Sequence, residues 1–323
     1  MATKTALVLG GGGFIGSHLM NRLSGEGIQV TGVDLKYPEY WNPNFHEFII
    51  GDLRDPNVVA AVIDRKYDEV YQLAADMGGA GYINTGDNDA DVMGNSILIN
   101  VNVLKRAQEV GIKSIFFSST ACVYPEYNQM HSDSIDTREH TVYPAAPDTE
   151  YGWEKLFSER LYLAYNKNYG MKNKVARYHN VYGPYGTWDG GKEKAPAAIC
   201  RKVAKATDDI EIWGDGNQRR SFLYIDEAIK ATVDYYRQDI SLEPVNIGSE
   251  RHVSINDLVD IVCAIEGKQL KKKHIVGPIG VHARTSNNDL IKEIIGYAPD
   301  ENLEYGISQT YSWIKEQVEN EKQ

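Results

Sequence analysis

The feature that most constrains the fold is a short apolar strand followed at once by a glycine-rich turn and a helical pattern. Thr5–Leu9 reads as a parallel strand that is buried on both faces. Glycines follow at Gly10, Gly13 and Gly16. This spacing allows a tight turn, a close backbone approach to a pyrophosphate, and close packing of the helix on the strand. The chain is therefore predicted to begin with a nucleotide-binding strand–turn–helix unit.

The rest of the first half alternates apolar runs with helical patterns. Further strands are predicted at Ile28–Val33, Glu47–Ile50, Glu69–Leu73, Ser114–Phe117 and Val175–His179. Helices are predicted at Ile15–Ser24, Pro56–Asp64, Ser96–Val110 and Tyr151–Tyr169. Such alternation predicts the α/β class, with a Rossmann-type doubly wound parallel sheet and a smaller α/β substrate-binding domain.

The composition changes after Tyr182-Gly183-Pro184, and we place a domain boundary there. Residues 1–180 are predicted to form the NAD-binding domain, and residues 181–323 the smaller domain. Segments near 221–230 and 244–248 are expected to return to the first domain, so the boundary is not a single cut.

Acidic side chains after two of the strands bear on the choice of cofactor. Asp34 ends the second strand, 18 residues after Gly16, where a carboxylate can bind the ribose hydroxyls of NAD and would repel the 2′-phosphate of NADP. Asp52 and Leu53 follow the next strand. They are predicted to reach the adenine, although Asp52 could equally cap a helix.

Composition limits the partners. The net charge of −11 argues against a nucleic-acid or anionic-membrane surface. No apolar run approaches the ~20 residues that would span a bilayer. The start, Met1–Thr5, has no signal-peptide pattern. The cysteines Cys122, Cys200 and Cys263 show no metal spacing, and we predict no metal site and a reducing cytoplasmic location.

A tyrosine and a lysine lie one helical turn apart in Tyr151-Gly152-Trp153-Glu154-Lys155. A helix would place both on one face, with Asp148 as a candidate cap. A phenol ordinarily has a pKa of ~10, and a neighbouring ammonium lowers it. The pair is therefore a candidate proton acceptor for a sugar hydroxyl, although by itself the same spacing also fits a solvated helix face.

Four motifs together resemble the extended short-chain dehydrogenases/reductases that act on nucleotide sugars. They are the glycine-rich turn, Ser118-Ser119-Thr120, the Tyr151/Lys155 pair and Asn180-Val181-Tyr182-Gly183-Pro184. The resemblance implies that Tyr151 is the base, that Lys155 orients the nicotinamide ribose, and that Thr120 hydrogen-bonds the reacting hydroxyl. It also implies NAD contacts from Phe14, Ile15, Leu73, Ala74 and Ala75.

Within that family, longer segments resemble the GDP-mannose 3′,5′-epimerases. These segments are 74–79, 121–126, 179–184, 186–188, 193–198 and 213–216. The resemblance implies that a ketone made at carbon 4 acidifies the hydrogens on carbons 3 and 5. It implies that Cys122 is the base and Lys194 the acid that exchange protons at those carbons.

The residues around Thr120 separate this reaction from related ones. If residues 120–122 are extended, Thr120 and Cys122 point the same way, and a nearby cation would favour the thiolate. From spacing alone, a small buried side chain is the favoured interpretation of Cys122, and a residue of a solvated loop that of Lys194. Related 4,6-dehydratases carry Asp-Glu where this chain has Ala121-Cys122. Ala121 cannot donate a proton to a leaving hydroxyl, which disfavours dehydration.

The resemblance also supplies candidate contacts for a GDP-sugar. A sugar diphosphate needs cations and polar donors, and arginine binds phosphate in pairs of hydrogen bonds. The candidates are Gly78, Thr120, Cys122, Asn180, Glu193, Lys194, Ala195, Lys202, Gln218, Arg219, Arg220 and Arg284.

The resemblance thus implies an NAD-dependent epimerase that converts GDP-mannose to GDP-L-galactose, with GDP-L-gulose as a second candidate product. A nucleotide-sugar 4-epimerase, or an epimerase of a modified GDP-sugar, is the enzymatic alternative. A non-catalytic NAD(H)-binding regulatory protein is the alternative from another class. The family resemblance implies a homodimer that packs Ser96–Val110 and Tyr151–Tyr169 into a bundle.

Overall fold

The computed structural model describes residues 3–133, 135–239, 243–277, 280–299 and 302–321. Its strands are β1 (Thr5–Leu9), β2 (Gln29–Asp34), β3 (Glu47–Ile50), β4 (Glu69–Gln72), β5 (Phe116–Thr120), β6 (Lys174–Tyr178), β7 (Val181–Tyr182), β8 (Asp209–Trp213), β9 (Arg219–Ser221), β10 (Leu223–Tyr224), β11 (Val245–Ile247), β12 (His252–Ser254), β13 (Lys271–Ile275) and β14 (Ala283–Arg284). Its α-helices are α1 (Phe14–Gly25), α2 (Pro56–Val62), α3 (Ala80–Ile83), α4 (Asp89–Val110), α5 (Glu150–Tyr169), α6 (Ala195–Lys205), α7 (Ile225–Tyr236), α8 (Ile255–Glu266), α9 (Asp289–Ile295) and α10 (Leu303–Asn320).

A parallel sheet forms the centre of the molecule, with the strand order β11-β6-β5-β4-β1-β2-β3. Each neighbouring pair in it is parallel. The order reverses between β1 and β4, which is where ligands bind in open α/β sheets. The predicted α/β class with a Rossmann-type doubly wound sheet is confirmed.

Both faces of this sheet are buried, which explains the uninterrupted apolar character of β1. Ala6 and Val8 pack into one core, together with residues of α1 and α7. Leu7 and Leu9 pack into the other, with Ile99 of α4 among its members. Because successive strand residues point to opposite faces, a strand between two helical layers must be apolar throughout.

The C-terminal half contributes to the central sheet and also forms smaller units. β11 pairs with β6, and α7 packs against α1. Outside the sheet, β9 pairs with β12 and β14, while β8 pairs with β13. α6 packs against α8 and α10. The division at residue 180 remains a prediction.

Two element boundaries near the site differ from the sequence prediction. β5 continues to Thr120, so the Ser-Ser-Thr hydroxyls lie within the strand and not beyond it. α4 begins at Asp89, about two turns before the predicted start, and carries Asp89 and Asp91 in its first turn, where they favour the helix dipole. Within the described residues, no helix combines the length and apolarity needed to cross a bilayer.

A buried ion pair connects α5 with strands β5 and β6 of the central sheet. Arg177 of β6 donates two hydrogen bonds to Glu159 of α5, at 2.9 and 2.8 Å, and both side chains are almost fully buried. Ser119 of β5 donates to the same carboxylate. The pair therefore ties β6 to α5, which carries Tyr151 and Lys155, and to β5, which ends at Thr120.

Arg177→Met is expected to lower the free energy of unfolding by about 3–5 kcal/mol, because it leaves the Glu159 carboxylate buried without its cation. Urea denaturation measures the change. The control is Arg251→Met at the exposed Arg251–Glu304 pair, which is expected to change stability by about 1 kcal/mol or less. Equal losses in the two variants would contradict this role for the buried pair.

Candidate active site

The glycine-rich turn presents bare backbone at the start of α1. Gly10 has φ +88°, a conformation that disfavours other residues. A Cβ on Gly16 would overlap the carbonyl oxygen of Gly10, so the helix packs directly on the turn. Gly13 is the N-cap and supplies no side-chain acceptor for the first helical N–H groups. These N–H groups, with Phe14 and Ile15 in the first turn, suit an anionic ligand.

Asp34 ends β2 beside this turn. Its carboxylate accepts hydrogen bonds from the backbone N–H groups of Gly12, at 3.0 Å, and Leu35, at 2.7 Å. Burial raises the pKa of Asp34, and the backbone donors act in the opposite direction. The carboxylate is thus fixed at the edge of the sheet where the sequence predicts a ribose contact.

The other predicted cofactor residues follow β3 and β4. Asp52 is held by Arg54, at 2.6 Å, and does not cap α2, because Asp55 provides that cap. Leu53 is buried. Ala74 packs against Gly10, so the segment Leu73–Ala75 borders the glycine-rich turn. The structure therefore brings the predicted NAD contacts to one edge of the sheet.

Tyr151 and Thr120 meet at the carboxyl end of β5. Tyr151 lies in the first turn of α5, which Thr149 caps through its side chain. Burial raises the pKa of Tyr151, electrostatic interactions with Cys122 and Glu154 add to this effect, and a hydrogen-bonding interaction with the Thr120 side chain opposes it.

The predicted lowering of the Tyr151 pKa by Lys155 is wrong for this structure. Lys155 Nζ donates to the carbonyl oxygen of Ser118 at 3.1 Å, and it lies 5.9 Å from the centre of the Tyr151 ring. Burial lowers the pKa of Lys155, whereas Glu154 and Glu159 raise it. Desolvation therefore makes the largest contribution to the pKa shifts of both side chains.

Cys122 lies on a 3₁₀ turn and not on the predicted extended segment. The Thr120 hydroxyl accepts a hydrogen bond from the Cys122 backbone N–H at 3.2 Å and so caps the turn Ala121–Val123. Serine and threonine hydroxyls commonly compete with extended backbone in this way. The partly buried Cys122 sulfur accepts a hydrogen bond from Arg284 Nη1 at 3.0 Å.

Lys194 approaches the same place from the second half of the chain. It is the N-cap residue of α6 and offers no side-chain cap. Burial lowers the pKa of Lys194, and an electrostatic interaction with Cys122 raises it. The structure therefore brings Lys194 within electrostatic range of Cys122, which spacing along the sequence does not reveal.

Two residues that the sequence analysis did not assign to the site hold Arg284 in place. Gln129 Oε1 accepts from Arg284 Nε, and Asp148 Oδ1 accepts from Nη2 at 3.4 Å. Asp148 is free for this pair because Thr149, not Asp148, caps α5. The helix-start pattern draws attention to Asp148, but a pairing across 136 positions leaves no local signal.

The remaining candidate substrate residues have different local contacts. Arg220 lies near Arg284: burial and repulsion from Arg284 lower the pKa of Arg220 to about 10. Asn180, with φ +47°, donates to the Ser221 carbonyl at 2.9 Å, while Lys202 donates to the Glu211 carbonyl. Glu193 accepts from Arg201 at 2.7 Å, and Ala195 begins α6.

Some polar atoms in this region lack a hydrogen-bond partner within the described residues. They include Gln218 Oε1 and Arg219 Nε, both buried. Gly78 packs against Tyr82, where a Cβ would crowd the ring. Buried polar atoms are normally satisfied, so these two are suited to contact a polar ligand.

A model of the NAD dependent epimerase/dehydratase family matches residues 6–248. The chain belongs to this family. As expected for a family member, its glycine-rich turn, β5 terminus and first turn of α5 lie at the same edge of the sheet.

Proteins of known name resemble this chain over nearly its whole length. GDP-mannose 3,5-epimerase of Arabidopsis thaliana is 44% identical over 317 residues, covering 98% of this chain and 83% of that protein. GDP-mannose 3,5-epimerase 1 of Oryza sativa subsp. indica is also 44% identical, with 98% and 82% covered.

Solved structures of two epimerases share the fold. UDP-glucose 4-epimerase of Thermotoga maritima, with UDP-glucose, has a TM-score of 0.86 at 24% identity and covers 97% of this chain and 99% of its own. UDP-glucuronic acid 4-epimerase of Bacillus cereus, with UDP-glucuronic acid and NAD, has a TM-score of 0.81 at 26% identity, with 97% and 99% covered.

Proposed function

We propose that this chain is an NAD-dependent GDP-mannose 3,5-epimerase. The 44% identity to proteins of that name, over almost the whole chain, supports the substrate and the reaction. The observation that carries the proposal is the convergence of Cys122 and Lys194 near the Thr120–Tyr151 pair. That convergence provides two proton-transfer groups in addition to the tyrosine.

The nucleotide edge fits NAD. The glycine turn leaves no Cβ between the backbone and a pyrophosphate, and the uncapped N-terminus of α1 offers N–H donors. Asp34 would accept from the ribose hydroxyls. The chemistry that NAD supplies when bound is reversible hydride acceptance from carbon 4 of the sugar.

Tyr151, as the phenolate, takes the proton of the carbon-4 hydroxyl, with Thr120 holding that hydroxyl. Burial favours the neutral phenol, which is the form that returns a proton when the alcohol re-forms. The positive charge of the nicotinamide would favour the phenolate when NAD is bound. Lys155, whose ammonium donates to the Ser118 carbonyl, is assigned the orientation of the nicotinamide ribose. This set makes and removes a ketone but inverts no carbon next to it.

Inversion is assigned to Cys122 and Lys194. A ketone at carbon 4 acidifies the hydrogens on carbons 3 and 5, and inversion needs removal from one face and delivery to the other. Cys122 removes the proton, while the Arg284 guanidinium at 3.0 Å compensates negative charge on sulfur. Lys194 delivers a proton from the opposite side. Ala121 has only a methyl group and cannot assist loss of a hydroxyl.

Basic and polar side chains are assigned to the GDP-sugar. Arg284 is a buried cation and Arg220 a half-buried one, and both are assigned to the proposed sugar position. Gln218 and Arg219 offer buried atoms without partners in the described structure. Asn180, Lys202, Glu193, Ala195 and Gly78 complete the proposed contacts. In this proposal, binding exchanges several internal hydrogen bonds for bonds to the substrate.

A homodimer and a cytoplasmic location also belong to the proposal. Leu98 and Val101 on α4, and Phe157 on α5, are 50%, 38% and 47% exposed. Burying these side chains between two copies of the α4–α5 pair would remove apolar surface from water.

The function is tested by incubating the protein with GDP-mannose and NAD and assigning the sugar by proton NMR coupling constants. Inversion at carbons 3 and 5, giving GDP-L-galactose, is expected. Inversion at carbon 4 alone would favour a 4-epimerase. An unchanged sugar despite NAD binding would contradict the proposal and favour a non-catalytic NAD(H)-binding protein.

Gly16→Ala is expected to weaken NAD binding at least about tenfold, or ~1.4 kcal/mol, because the new methyl group must push the turn away from α1. Fluorescence titration measures the affinity. Gly25→Ala is the matched control, since a Cβ at Gly25 meets nothing within 4 Å. Unchanged affinity in Gly16→Ala would show that the turn does not cradle the cofactor as proposed.

A further inference from the structure

A short segment of the first half crosses to the loop that carries Lys194. We name residues 76–83 the strap; it follows the carboxyl end of β4 and includes α3. The loop it meets, residues 190–194, leads directly into α6. The strap is thus a connection between the cofactor edge and the proposed acid.

The backbones of the strap and the loop are in direct contact. The Gly79 N–H donates to the Lys192 carbonyl at 2.9 Å. A Cβ on Gly79 would overlap the carbonyl oxygen of Glu193, and a Cβ on Gly81 would lie 3.3 Å from that of Gly191. Only glycine fits this approach at position 79 without displacing the loop, because the obstructing atom belongs to the backbone.

Side chains also connect the strap with the loop 190–194. Lys192 Nζ lies 3.9 Å from the centre of the Tyr82 ring, a cation–π distance. The Tyr82 hydroxyl donates to Asp76 at 2.9 Å. Asp76 also accepts from Asn95 of α4 at 2.8 Å. The ring that contacts Lys192 is therefore anchored through Asp76 to a long helix of the first half.

Lys194 is two residues beyond Lys192, so its position is fixed from two directions. α6 holds it from the C-terminal side, and the strap holds the residues before it. Glu193, between them, is tied to Arg201 of α6 and to the Gly191 N–H. This arrangement leaves the Lys194 backbone little freedom to move relative to Cys122.

We infer that the strap is a positioning device for Lys194, with Gly79 and Tyr82 as its positioning residues. The inference rests on the proposed function, and it adds a prediction about the ratio of proton exchange to inversion at the sugar carbons.

Cys122 takes a proton from carbon, and the electron pair of the broken C–H bond stays on the enolate of the 4-ketone. A proton from Lys194 on the opposite face gives inversion. The thiol proton exchanges with solvent, and its return to the original face gives exchange without inversion.

A displaced Lys194 should therefore change the partition between these outcomes, and not only the rate. In heavy water, Gly79→Ala is expected to raise the ratio of deuterated, uninverted GDP-mannose to inverted product at least about 10-fold, because misplacement of a reacting group by ~1 Å can cost about 10²-fold in rate. Mass spectrometry and NMR of the separated sugars give the ratio. Gly94→Ala in α4 is the matched control and should keep the wild-type ratio, since a Cβ there meets nothing within 4 Å.

Substitutions at Tyr82 keep the test independent of a folding defect in Gly79→Ala. Tyr82→Leu removes the ring below Lys192 and should also raise the ratio, whereas Tyr82→Phe keeps the ring and should restore much of the wild-type ratio. If exchange and inversion fall in equal proportion in Gly79→Ala and Tyr82→Leu, the inference is wrong although the function stands. If the wild-type protein neither exchanges nor inverts, the proposed function itself fails.

Discussion

Cys122→Ala is expected to lower deuterium incorporation from heavy water at carbon 5 of GDP-mannose by about 10²–10⁴-fold, the usual contribution of a positioned acid or base. Hydride transfer from carbon 4 should persist, because Tyr151, Thr120 and Lys155 are unchanged. The methyl group of alanine accepts no proton and no hydrogen bond from Arg284. The two measurements are the NMR signal at carbon 5 and the absorbance of reduced nicotinamide in the same sample.

The control for this variant is Cys263→Ala. Cys263 is a buried cysteine of α8 that packs in the core of the C-terminal half, so its loss tests the effect of removing a sulfur without touching the site. It should leave exchange at the wild-type rate. Undiminished exchange in Cys122→Ala would show that another group is the base. Loss of both exchange and hydride transfer would show that Cys122 supports the site as a whole.

Tyr151→Phe is expected to lower hydride transfer by about 10²–10⁴-fold, because no other group in the proposed mechanism takes the carbon-4 hydroxyl proton. Exchange at carbons 3 and 5 should fall with it, since those hydrogens become acidic only next to the ketone. NAD affinity should change little, because Lys155 and the glycine-rich turn remain. Rapid-mixing absorbance measures the first effect, and NMR measures the second.

Tyr169→Phe provides the comparison within the same helix. Tyr169 ends α5 and is 57% exposed, so removing its hydroxyl should leave both rates unchanged. The order of effects is diagnostic: Tyr151→Phe should abolish exchange through loss of the ketone, and Cys122→Ala should abolish it with the ketone still formed. Exchange that survives Tyr151→Phe would contradict the requirement for oxidation first.

The sheet was predictable because each strand carries its own signal. β1 is apolar throughout since two helical layers cover it, and the glycine-rich turn after it fits few other structures. Thr5–Leu9 and Glu47–Ile50 coincide with the predicted strands. The start of α4 was missed because residues 89–95 mix Asp, Gly and Asn with a few apolar side chains and so show no continuous apolar stripe.

The interior of the site was less predictable, because its geometry depends on long-range contacts. The family resemblance, not spacing, implied that Cys122 and Lys194 act together. The 3₁₀ turn after β5 replaced the expected extended segment once the Thr120 hydroxyl capped it. Burial reversed the expected direction of the Tyr151 pKa shift, and the depth of a side chain cannot be read from its neighbours in sequence.

The most direct test of the central claim is the position of deuterium after one turnover of GDP-mannose in heavy water. The proposed mechanism predicts solvent deuterium at carbons 3 and 5 of the inverted sugar, and none at carbon 4, because the hydrogen there leaves and returns as hydride without meeting solvent. Inversion confined to carbon 4, without deuterium at carbons 3 and 5, would contradict the roles given to Cys122 and Lys194.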